Sequence, residues 1–442
     1  MPLVFIHGVN TRDTDEDYAR SVAARRTMFE QLVVPTVVKQ GFPTFSVASD
    51  IYWGNLGVSF GWGLRTIPDT QVLQSLGAAS GSIQNIDLME LVSASRPASK
   101  EVESLGSEPL LVAAAKKDPG ALVRAVFAPE AERFAPREMS PPKPGITKMD
   151  LRKAALQGEH LGLLLIAVGE LARDVQTTPE LIQGKTDDEV TNKIQQEVQV
   201  RYQARAQARL DAEASQETEH LGKFGDAIGW AMDHLKGAVN AVKKAAGTVL
   251  AETERGASLL ALKELRQGIS SRGLRFLGDV FVYLHHGRTA APAIYDCVKN
   301  GVTVLNTKSE DKGKREPLIV VTHSFGSEIL YDLLTSGALK DVMIDLWVTV
   351  GAQTSLFAEM RLFSAMPPLP PDTSKFVLGR PENVKKWINF YDAADMLSFL
   401  HEPVFGQKAV KDIEVTAQGN LTNAHGHYFA DPGFYERIAA EI

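Results

Sequence analysis

The sequence predicts an α/β protein built around a mostly parallel sheet. Three observations carry that expectation. An apolar, partly β-branched run, LVFIH at 3–7, stops at Gly8. From residue 317 onward, strand-like and helix-like segments alternate regularly. The chain of 442 residues, 44% hydrophobic and 23% charged, can bury a large core. Strands that alternate with helices imply parallel pairing, since each connection has to return over the sheet before the next strand begins.

Taken in order, LVFIH reads as a buried strand and residues 16–34 as a helix. FSVASDIYW at 45–53 is a second strand candidate, closed by the turn-like GNLG. Residues 56–257 change character, with Gly- and Pro-rich pieces such as SPPKPG at 140–145 set between helical patterns. One of these repeats Val190, Ile194, Val198, Tyr202, Ala206 and Leu210 at steps of four, flanked by Lys193, Glu197, Arg201, Arg205 and Arg209. That narrow stripe predicts a charged helical arm over 188–215, packed on one side only. Over 220–252, Phe224, Ile228, Met232, Leu235, Val239 and Val242 share one helical face. A helix packed on the core is the plain reading, and a lid or membrane-surface helix is the sharper one. GDVFVYL at 278–284 suits a short strand or the end of a helix. Beyond it PLIVVT, DLWVTVG, WINFY and DIEVTA read as strands, with FGSEILYDLLTSG and 432–441 as helices.

The net charge of −7 argues against a basic surface for gripping phosphate backbones, so nucleic acid is not an expected partner. Cys297 is the single cysteine, which excludes an intramolecular disulfide and a thiol-based zinc site and suits a reducing, cytoplasmic setting. The opening MPLVFIHGVN leaves no room for a charged leader before an apolar segment, so export by that route is not expected. The longest apolar run, LGLLLIAVG at 161–169, is shorter than the roughly 20 residues of a membrane span, and any membrane contact is expected to be peripheral, through 220–252.

Chemistry enters at VVTHSFGSEI, residues 320–329, where Ser324 stands at the junction of a strand and a helix. A serine there can cap the helix. It can also be a nucleophile presented above the sheet by a strained turn, which needs small neighbours such as Gly326. The usual pattern has glycine two residues before the nucleophile, and this chain has Thr322. A serine nucleophile needs a base and a group that orients the base, in the chain order serine, acid, histidine. Asp392 and Asp395 both follow the WINFY strand; Asp395 is preferred as lying further past the strand end. His425 and His427 both stand in NAHGHYF before the last helix, and only one can be the base. The negative oxygen of the attacked carbonyl requires two backbone amides, which Phe325 and, after the turn at Gly8, Val9 would supply. His323 is expected to pack rather than transfer protons, because strand alternation turns it away from Ser324. His285 and His286 adjoin each other and cannot face one site from a strand, and no HExxH pattern accompanies them, so no metal and no cofactor is expected.

FIHGVN, VVTHSFGSEI, VTVGAQ, WINFYDAAD and NAHGHYF, in that order, resemble the α/β-hydrolase superfamily, especially its lipase and esterase-like members. The resemblance covers residues 1–55 and 258–442 and implies a doubly wound sheet, a Ser-His-Asp triad and an acyl-enzyme route. Position by position it implies Ser324 as nucleophile, Asp395 as acid, His425 as base, and Val9 with Phe325 as oxyanion donors. Asp392 and His427 remain the alternatives. Residues 56–257 then form a mainly helical insertion or cap, to which a protein partner could bind. The expected activity is acyl ester hydrolysis, with a lipid or other apolar acyl substrate. A thioesterase, peptidase or acyltransferase would use the same machinery, and a non-catalytic interaction scaffold is the competing class.

Overall fold

The computed structural model describes residues 2–9, 11, 16–59, 109–132, 147–213, 237, 277–285, 293–310, 315–370, 376–415 and 424–442. Five strands form one all-parallel sheet in sequential order: β1 (Leu3–Ile6), β2 (Ile319–His323), β3 (Ile344–Val350), β4 (Val384–Tyr391) and β5 (Lys411–Glu414). The central strands are apolar at nearly every position because both of their faces are covered. β5 carries Lys411, Asp412 and Glu414, charges suited to an edge.

The second strand candidate, 45–53, runs parallel beside β1 but is held only by isolated bridges at Leu3–Val47 and Ile6–Ile51. Between the bridges Asp50 pairs with Arg25, and that polar stretch breaks the ladder. The chain therefore leaves β1 toward one side, through 45–51, and later returns to the other side with β2. Such a reversal opens a crevice at the carboxyl ends of the strands.

Helices cover both faces. Leu3, Phe5, Val321, Val348 and Phe390 face a core completed by α1 (Glu16–Leu32), α5 (Lys148–Thr177) and α11 (Pro432–Glu441). Alternate residues Val4, Ile6, Val320, Trp347 and Trp387 face α7 (Ala293–Glu310) and α8 (Gly326–Thr335). A third cluster joins α3 (Leu110–Lys117), α4 (Pro119–Val126), α5 and α6 (Asp187–Glu213).

α5 starts at Thr147, whose hydroxyl and the Asp150 carboxylate cap each other's backbone amides. Leu161, Leu165 and Ile166 face the sheet, whereas Leu163, Leu164 and Leu171 face α6, so the run at 161–169 is buried on both sides. By length and composition alone this helix could cross a bilayer, yet 67% of its most apolar window is buried inside the protein. The α6 stripe from Val190 to Ala206 packs on α5 and α3, and Arg201, Arg205 and Arg209 reach carboxylates on α5. Residues 277–285 are helical, which resolves the ambiguity of GDVFVYL. The amphipathic stretch 220–252 lies outside the described residues, apart from Gly237.

Candidate active site

Ser324 occupies the turn between β2 and α8 with φ of 49°, in the left-handed region that L-residues avoid. Its amide donates to Val350 O of β3 at 2.9 Å, so sheet pairing continues to the turn and fixes the strained residue. Two glycines let the backbone close around it. A Cβ on Gly8 would lie 2.6 Å from Ser324 Cβ, and one on Gly326 would lie 2.6 Å from His7 O and 2.7 Å from Ile6 O. The β1 terminus is thereby pressed against both the serine and the start of α8.

Thr322 replaces the expected glycine without disturbing this turn. Its buried hydroxyl accepts from Trp347 Nε1 at 2.9 Å and lies 2.8 Å from Ser327 Oγ. Residue 327 is small enough to leave room for the threonine, and polar enough to pair with it.

Asp395 and His425 meet. His425 Nδ1 donates to Asp395 Oδ2 at 2.8 Å, Tyr428 OH donates to the same oxygen at 2.9 Å, and Leu397 N donates to Oδ1 at 2.9 Å. Burial opposes ionisation of Asp395, but these hydrogen bonds and the neighbouring imidazole outweigh it and hold the carboxyl below its ordinary range. With Nδ1 as donor, a neutral His425 presents a lone pair at Nε2. That atom is buried and makes no hydrogen bond, and the same holds for Ser324 Oγ. Gly351, at φ of 54°, joins the two halves: it follows Val350, the partner of the Ser324 amide, and a Cβ on it would sit 3.1 Å from Asp395 Oδ2 and 3.2 Å from His425 Nδ1. The bond between Ser324 and His425 is not formed in this structure.

The alternatives make other contacts. Asp392 Oδ1 accepts the amide of Ala394 at 2.8 Å and closes its own turn. His427 lines a cavity of about 560 Å³ with Phe127, Leu165 and Val415, whose walls include none of Ser324, Asp395 and His425. His285 is exposed, and His286 lies outside the described residues. Among the described residues no group of three or more His, Cys, Asp or Glu is arranged to hold a metal ion.

Of the expected oxyanion donors, Phe325 is the N-cap of α8 and has no side-chain cap. Its buried ring is set against Trp53, Tyr283 and Phe357 at centroid distances of 6.4, 5.3 and 5.6 Å, which immobilises the backbone beside Ser324. Val9 follows Gly8, on which a Cβ would lie 2.6 Å from Ser324 Cβ.

Sequence reasoning missed several supports of this arrangement. His323 packs on Phe429 as expected, but its Nε2 also lies 2.8 Å from His425 O. A carbonyl only accepts, so Nε2 is the donor; burial, aided by the nearby His425, lowers the His323 pKa to about 3 and keeps the ring neutral. Glu328, in the first turn of α8, accepts from Gln353 N at 2.9 Å and Thr354 Oγ1 at 3.0 Å, and burial pushes its pKa up to about 8. Gln353 Nε2 donates to Gly351 O at 2.8 Å and also to Leu397 O, tying the loop after β3 to the loop that carries Asp395. His7 hydrogen-bonds Gly8 and Trp53. Gly351 was visible as the glycine closing DLWVTVG; Trp53 as partner of His7, and Glu328 and Leu397 as partners of Gln353, are remote along the chain and left no local pattern.

No protein family, curated protein or solved structure matches this chain.

Proposed function

We propose that this protein is a serine hydrolase with an α/β-hydrolase fold that cleaves acyl esters through Ser324, His425 and Asp395. The observation that carries the reading is two buried, unbonded atoms beyond the carboxyl ends of the central strands. Ser324 Oγ is held on a left-handed turn, and His425 Nε2 belongs to an imidazole already oriented by Asp395. Unsatisfied buried polar groups are costly, and a site that closes only around substrate is one reason to keep them.

In the proposed reaction Ser324 Oγ attacks the ester carbonyl while His425 Nε2 takes its proton, forming a tetrahedral oxyanion near the amides of Val9 and Phe325. Collapse of that intermediate breaks the bond to the alcohol, and His425 returns the proton to the leaving oxygen. Water then attacks the acyl-serine, again with His425 as base, and releases the acid and the free hydroxyl. Asp395 stays ionised throughout and favours the imidazolium that forms in each half-reaction. An apolar acyl group is supported by the loop that carries Asp395, where Met396 is 78% and Leu400 46% exposed.

Labelling with a fluorophosphonate tests the reading. The expected result is one modified serine in the wild type, no modification in Ser324→Ala, and loss of short-ester turnover in the same variant. A folded wild type that takes no probe and releases no acid from a panel of esters defeats it in favour of the scaffold class.

A further inference from the structure

We infer that His7 is a positioning residue for the oxyanion site: its imidazole sets the direction of the Val9 amide by holding the carbonyl of Gly8. This assignment rests on the hydrolase reading above. Contacts with Trp53 and Gly8 fix His7. Trp53 N donates to its Nε2 at 3.0 Å, Trp53 Nε1 donates to its carbonyl at 2.8 Å, and the two rings stack at 5.0 Å with planes 14° apart. His7 Nδ1 lies 2.6 Å from Gly8 O. An Nε2 that accepts from an amide carries a lone pair, so the proton of the neutral ring is on Nδ1, and the Gly8 carbonyl receives it.

The geometric consequence follows from the planarity of the next peptide. In a trans peptide the carbonyl of Gly8 and the N–H of Val9 point in opposite directions. An imidazole that holds the carbonyl on its own side therefore turns the Val9 N–H away from His7, into the crevice where Gly8 abuts the Ser324 side chain. Glycine by itself leaves that peptide free to rotate, and His7 removes the freedom. Thr11 Oγ1, 3.5 Å from both Gly8 O and Val9 O, adds a weaker tether on the same loop. The indole of Trp53 in turn anchors His7 against residues that follow the 45–51 segment, so the donor is aligned by the same strand reversal that creates the crevice.

Three variants and one ester separate alignment from mere packing. His7→Phe keeps the stack on Trp53 and loses the Nδ1 donor. His7→Gln offers an acceptor to Trp53 N without a donor at the Nδ1 position, and His7→Asn keeps a donor close to that position. With p-nitrophenyl butyrate, His7→Phe and His7→Gln are expected to lose roughly 10- to 100-fold in kcat with KM nearly unchanged, as for weakening one oxyanion donor. His7→Asn is expected to recover most of that loss although it removes the ring stack and melts lower. Wild-type kcat in His7→Phe overturns the assignment, and so does a rank order of kcat that simply follows the melting temperatures. A wild type inert toward esters and fluorophosphonate defeats the hydrolase reading and this assignment together, whereas an active wild type with an unaffected His7→Phe defeats this assignment alone.

Discussion

His323 Nε2 donates to the backbone carbonyl of His425 across 2.8 Å, so the residue before the candidate nucleophile holds the loop of the candidate base. The two rings lie 4.7 Å apart, and Phe429 meets His323 edge-on at 5.1 Å. His323→Phe retains the packing and loses the donor. It is expected to cost about 1 kcal/mol of stability, the net worth of one hydrogen bond, and to lower kcat more than it raises KM. A chemical melt alongside steady-state kinetics checks both; unchanged kcat would restrict His323 to packing.

The two aspartates after β4 should part sharply. Asp395 orients His425, whereas Asp392 closes a turn. Asp395→Asn is expected to reduce kcat by roughly 10³- to 10⁴-fold, as expected when the orienting acid of a triad is neutralised. Asp392→Asn keeps the turn acceptor and should stay within about threefold of wild type, since Asn fills such turns as Asp does. Equal losses in the two variants would contradict this assignment of roles.

Glycine contacts give a graded test. Gly351 and Gly337 both have positive φ, 54° and 79°, but a Cβ on Gly351 would press on Asp395 and His425, while one on Gly337 meets nothing within 4 Å. Gly337→Ala is expected to cost on the order of 1 kcal/mol from the backbone alone and to leave kcat intact. Gly351→Ala should cost activity as well as stability. Crystal structures of both variants would show whether the His425 ring has moved.

Glu328 predicts a pH dependence whose sign can be worked out. An unfolded glutamate ionises above about 4.5, whereas burial delays ionisation in the folded protein to about 8. Between these values the unfolded chain binds fewer protons, so this group makes stability fall as pH rises. Glu328→Gln keeps an oxygen for Gln353 N and Thr354 Oγ1 and cannot titrate. Its melting temperature relative to wild type is expected to rise steadily from pH 4 to pH 8; a constant difference would remove Glu328 as the cause.

Thr322 offers a test of the polar bridge beneath the turn. Thr322→Val preserves shape but leaves Trp347 Nε1 and Ser327 Oγ without their partner, at an expected cost of roughly 1–3 kcal/mol for buried groups left unpaired. Thr322→Gly, which restores the commoner pattern, should not stabilise the chain, because it removes the same hydroxyl. Denaturant midpoints of the two variants decide the matter.

The strands of this sheet were legible because burial on both faces writes them as continuous apolar runs: IVVTH, IDLWVTV and WINFY announce themselves without any partner being known. The segment 45–53 looked equally strand-like but carries Ser49 and Asp50 where regular pairing would continue, and Asp50 is committed to Arg25. Strand order was not legible, since pairing of β1 with β2 joins residues that are remote along the chain, such as Leu3 and Ile319. At the site, residue types and their order pointed to Ser324, Asp395 and His425, while the choice between neighbours such as Asp392 and Asp395 depended on one hydrogen bond. His7 stood in plain view as the first half of HG, yet its partner Trp53 had no pattern to mark it.

The left-handed torsion at Ser324 also bears on how such a chain would drift over generations. An L-residue held there forgoes on the order of 1–2 kcal/mol that glycine would return. Selection for durability alone would therefore replace this serine early, whereas selection for turnover has to tolerate it. The dihedral of a single residue thus becomes a gauge of whether descendants of this chain are still being kept for their chemistry or merely for their shape.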